Sequence, residues 1–72
     1  MGAISGMKDE MLAAGWKKAE DRGDFDAADE YEWEFFQRAM RRDGNDYDAT
    51  VALMRWKTLV DEAPTDSTPP AR

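Results

Sequence analysis

The sequence predicts an all-α fold, a small antiparallel three-helix bundle. Three observations carry this. Apolar residues recur at helical spacing in three separate stretches, glycine and aspartate punctuate the gaps, and the gaps span only about two to four residues, which favours antiparallel neighbours. The expected helices cover about 7–22, 25–42 and 47–62. A flexible N-terminus (1–6) precedes the helical domain (7–63), and a disordered C-terminal tail (64–72) follows it.

The first six residues, MGAISG, are small and without periodicity, as a frayed end or a leader would be. Ser5 is the expected N-cap of the first helix, with Asp9 and Glu10 in the first turn where the helix dipole favours acids. Met11, Leu12, Gly15, Trp16 and Ala19 share one face of that helix. Lys17, Lys18 and Arg22 sit towards its end, and Gly23 supplies the left-handed stop. Gly15 on the inward face costs about 1 kcal/mol relative to alanine, which suits a neighbour approaching closely.

Asp24 caps the second helix. On a wheel of about 100° per residue, Tyr31, Phe35, Ala28, Ala39, Phe25, Phe36, Met40 and Trp33 span an arc of about 200°. So wide an arc predicts that this helix lies between the other two. Asp26, Glu30, Glu34, Gln37, Arg38 and Arg41 take the opposite face. The turn Asp43-Gly44-Asn45-Asp46 leads to a third helix, with Asp46 as its expected cap. Asp46-Tyr47-Asp48-Ala49 repeats Asp24-Phe25-Asp26-Ala27, so the same helix start is expected twice. Ala49, Ala52, Leu53, Trp56, Leu59, Val60 and Ala63 form the expected inward stripe, and Pro64 ends the pattern.

Gly23 to Tyr31, GDFDAADEY, resembles the turn and second-helix start of tetratricopeptide repeats, where a Gly-Asp-aromatic turn precedes an alanine packed on the first helix. Ala28 matches that alanine. The resemblance implies a helical hairpin here. It does not extend to the first helix, where Gly15-Trp16 stands in place of Leu-Gly, and no tandem repeat accompanies it.

Composition narrows the function. Sixteen acids against ten bases leave a net charge of −6, which opposes direct binding to nucleic acid or anionic membranes. No apolar run approaches the roughly 20 residues of a membrane span, and a cytoplasmic protein is expected. With neither histidine nor cysteine, the Ser-His-Asp, Cys-His and Cys/His zinc constellations are excluded, and no glycine-rich phosphate loop is present. The acids between Asp43 and Asp48 fail as a calcium loop, because Tyr47 and Lys57 fall where ligands are required. No catalytic residue, cofactor or metal site is expected, and the protein is read as a non-enzyme.

Three features remain as candidate sites. Glu32 falls within the apolar arc, where a carboxylate needs a partner or a raised pKa; Arg55, Lys57, Lys8 and Lys18 are the candidates. Glu20, Asp21, Asp24, Asp26, Asp29, Glu30, Glu32 and Glu34 crowd one segment with Arg22 as the single base. An array of that kind serves as helix capping and solubility, or imitates a phosphate backbone with Asp26, Glu30, Glu32 and Glu34 as its acidic face. In size, charge and lack of catalytic groups the chain is similar to small phage-encoded inhibitors, anti-CRISPR proteins among them. Finally, Tyr47, Val51 and Met54 form a second apolar stripe that cannot face inward with Leu53 and Trp56. Joined to Trp33 and Met40, they would make an interface patch of the residue types that interfaces favour. The expected function is therefore binding of another protein through this aromatic and methionine patch, as a homodimer. Nucleic-acid mimicry by an inhibitor and a structural or assembly role are the alternatives.

Overall fold

A computed structural model describes residues 4–63. Three helices, α1 (Asp9–Asp21), α2 (Phe25–Asp43) and α3 (Ala49–Glu62), make up the fold; 3-10 turns at Ile4–Gly6 and Gly44–Asp46 precede α1 and α3. No strand occurs among the described residues. The all-α three-helix architecture expected from periodicity is the one observed. The expected disordered tail lies outside the described residues, as do residues 1–3.

The expected flexible N-terminus overlaps a 3-10 turn at Ile4–Gly6, and α1 begins only at Asp9, so its N-cap position is not at Ser5. Lys8 takes the N-cap position without a side-chain cap. Asp9 and Glu10 still meet the positive end of the dipole. At the other end the stop is as expected. Gly23 adopts φ +79°, its N–H donates to the Glu20 carbonyl, and the Asp24 N–H reaches back to Ala19 at 2.8 Å. Those two bonds form a Schellman motif, which uses the left-handed conformation that glycine adopts without strain.

Asp24 caps α2 by accepting from the Ala27 N–H. The repeated motif does not repeat that role. Asp46 lies in the second 3-10 turn, Tyr47 is extended, and Asp48 caps α3 by accepting from the N–H groups of Thr50 and Val51. The third helix therefore starts at Ala49, two positions later than expected. Where two aspartates flank an aromatic, either can cap, and the 3-10 turn after Gly44 decides for the second.

Contacts between α1 and α2 pair early with late residues, Asp9 with Arg38 and Gly15 with Tyr31, the order that antiparallel neighbours give. The middle helix is α1, not α2. It packs along α2 and also against α3, while α2 and α3 touch sparsely. Leu12, Ala13 and Ala19 are completely buried, and the small side chains of α1 let two neighbours close on it. The wide arc of α2 is only half used: Ala28, Phe35 and Ala39 are buried, whereas Phe25 and Trp33 remain 59% and 61% exposed.

The core joins Leu12, Ala13, Phe35 and Trp56, with Ile4, Met7, Trp16, Tyr31, Phe36 and Leu59 packed around them. Trp56 is its hub. Trp16 meets it edge-on at 6.2 Å between centroids, and Phe35 lies at 5.0 Å. On α3, Ala52 and Trp56 point inward and Leu59 and Val60 flank them, but Ala49 and Leu53 do not. Leu53 is 42% exposed, because with Ala52 and Trp56 turned inward the step of about 100° per residue puts it beyond the edge of the buried stripe. At its far end the Lys17 ammonium donates to the Ala63 carbonyl, tying α1 to the negative end of α3.

Candidate protein-binding surface

Each of the residues expected at a working surface can be placed. Glu34 does not present a free charge. Arg38 donates through Nε to Glu34 Oε2 at 2.8 Å, through Nη1 to Asp9 Oδ1 at 3.0 Å, and through Nη2 to the Ile4 carbonyl at 3.2 Å. One planar guanidinium thus fastens the N-terminal turn and the start of α1 to α2, a geometry lysine cannot supply. Hydrogen bonding to Glu34 holds Arg38 above its ordinary pKa, with partial burial opposing and Asp9 reinforcing the shift. Of the acidic face, Asp26 and Glu30 are exposed, Glu34 is mostly covered, and Glu32 is half-buried.

The arginines beyond it are local. Arg42 donates to its neighbour Asp43, and that hydrogen bond holds the Asp43 carboxyl below the usual aspartate value. No group of acids among the described residues is arranged to hold a metal ion, and no described helix is long and apolar enough to cross a membrane.

Exposed apolar side chains are the main feature of the surface. Met11, Phe25, Trp33, Met40, Val51, Leu53 and Met54 all project substantially into solvent, Met54 being 63% exposed. Two of the depressions they border are distinct. Val51 and Met54 border a depression of about 560 Å³ with Phe35 and Leu59 in it and Asp9, Arg42 and Arg55 among its charged neighbours. Trp33 borders another, of about 580 Å³, with Phe36, Asp29, Glu30 and Glu32. The two share no residue. Tyr47 is half-buried and Met40 exposed, and neither lines either depression.

Sequence reasoning did not find a third depression, of about 420 Å³, where Trp16, Leu53, Trp56 and Val60 meet Glu32, Lys57 and Asp61. Its signal was obscured by assigning Leu53 to the core. Glu32 borders this depression as well as that of Trp33, so the two lie on either side of it. None of the expected cations holds Glu32 in a hydrogen bond or ion pair among the described residues. Comparison with protein-family models, with curated proteins and with solved structures returned no match.

Proposed function

We propose that this is a non-catalytic acidic helical protein that acts by binding another protein through exposed aromatic and methionine side chains, and that it pairs with itself. One observation carries the reading: Val51 and Met54 stand exposed around an apolar depression floored by Phe35 and Leu59. Large apolar groups gathered at a concave surface characterise interfaces. The rim carries both signs, Asp9 engaged by Arg38 and Arg42 by Asp43 beside Arg55, which is compatible with a self-complementary two-fold contact.

Sedimentation velocity on wild type and on the double variant Val51→Glu/Met54→Lys tests this. The wild type should sediment as a dimer and the variant as a monomer with an unchanged melting temperature. A monomeric wild type, or a variant that melts like a core mutant, rejects the reading. A structural or assembly role predicts the same surface. Inhibition by nucleic-acid mimicry draws support from Asp26 and Glu30, exposed one helical turn apart. It is weakened by Glu34, whose charge Arg38 engages. Mimicry requires binding to a basic groove that falls steeply as salt rises.

A further inference from the structure

The furrowed surface on either side of Glu32 has features the proposed self-pairing does not use. Its walls are aromatic and aliphatic: Trp33 and Phe36 on one side of Glu32, Trp16, Leu53 and Val60 on the other. Its Leu53 side lies between α2 and α3, which make few contacts with each other. Its charges are Asp29, Glu30, Glu32 and Asp61, with Lys57 as the single base. None of these four acids is in an ion pair among the described residues. An apolar furrow with unpaired carboxylates in and around it is complementary to an apolar stripe flanked by cations.

We infer that this furrow docks an amphipathic, basic helix of a protein partner. Apolar side chains of that helix would cover Leu53 and Val60, and an arginine would reach Glu32 while another lies over the exposed face of Trp33. Helix-in-groove recognition takes its affinity from such apolar anchors, and a guanidinium on an indole adds a cation–π contribution. A second copy of the chain is the poorer occupant. None of its helices carries net positive charge: α1 has two bases against four acids, α2 three against six, and α3 two against two. Nucleic acid is repelled by the same carboxylates. The inference rests on the reading that the protein binds another protein, but on a different face from Val51 and Met54, so the two fail separately.

The probe is a synthetic amphipathic helix of about four turns, leucine along one face and arginine flanking it, with a control peptide bearing glutamate for arginine. Titration of the full chain is followed by calorimetry and by the indole N–H signals of Trp16 and Trp33. The arginine peptide should bind and shift both indoles, and the glutamate peptide should not bind. Glu32→Gln, half-exposed and nearly isosteric, should weaken binding about tenfold, the loss expected for one charge-assisted contact. Trp33→Leu, which keeps apolar area without the aromatic ring, should weaken it by about threefold or more. Val51→Glu/Met54→Lys should leave the affinity unchanged. Absence of binding, unmoved indoles, or equal affinity for Glu32→Gln would overturn the inference. So would loss of dimer in Glu32→Lys with no loss of peptide affinity in Glu32→Gln, since the furrow would then hold a second copy.

Discussion

At the scale of single residues, Gly15 and Tyr31 fit closely against each other. A β-carbon built on Gly15 would meet the Tyr31 ring at 2.7 Å, nearer than such atoms approach one another. Glycine in mid-helix gives up about 1 kcal/mol of propensity, and here the ring occupies the space it leaves. Gly15→Ala should therefore destabilise the native protein by about 1 kcal/mol, the strain of overpacking exceeding the propensity gained. In a Tyr31→Ala background, where the obstacle is gone, the same change should stabilise by about 1 kcal/mol. Urea denaturation of the four proteins gives the cycle. Stabilisation of similar size in both backgrounds would mean that the ring yields freely. Arg38 makes the opposite kind of fit, polar and fully used, with separate nitrogens engaging Glu34, Asp9 and a carbonyl.

At the scale of elements, the third helix separates what pattern reveals from what it conceals. Two aspartates precede it and the pattern points to Asp46 as the cap, but Asp48 is the one that accepts from backbone N–H groups of the first turn. Asp48→Ala should cost about 1 kcal/mol of stability, while Asp46→Ala should cost a few tenths at most. Thermal melts of the two single variants decide it. Equal losses would place the helix start two residues earlier. The existence of each helix was legible because periodicity and the glycine stops agree. The cap was not, because the choice between Asp46 and Asp48 is made by the 3-10 turn at Gly44, which has no periodicity of its own. The middle position of α1 was hidden for a different reason. A wheel counts apolar residues, and α2 has the most, but closeness of packing follows from small ones, which Ala13, Gly15 and Ala19 supply on α1. Glu32 stood out on the wheel, whereas its place beside Leu53 and Trp16 depended on helix rotation, which spacing alone does not determine.

At the scale of the whole molecule, charge sets stability and binding against each other. The chain carries −6, and Asp26, Glu30 and Glu34 stack at i, i+4 along α2. Like charges at that spacing repel by about 0.2–0.5 kcal/mol per pair, and opposite charges attract by a similar amount. Arg38 relieves the Glu34 end of the row, but Asp26 and Glu30 remain exposed and unpaired with each other. Replacing Glu30 by lysine turns its repulsion from Asp26 into attraction, Glu34 being already engaged by Arg38, and brings the net charge from −6 to −4. Glu30→Lys should stabilise the fold by about 0.5–1 kcal/mol, raising the melting temperature by about 3–6 °C at low salt, with a smaller rise at high salt as screening removes the repulsion. The same substitution reverses one carboxylate at the Trp33 depression, so affinity for a basic helix should fall as stability rises. Opposite movement of the two quantities is the signature of an acid kept for binding at the expense of folding. A variant that loses stability would show instead that Glu30 supports α2, and its contribution to the acidic surface would then be incidental.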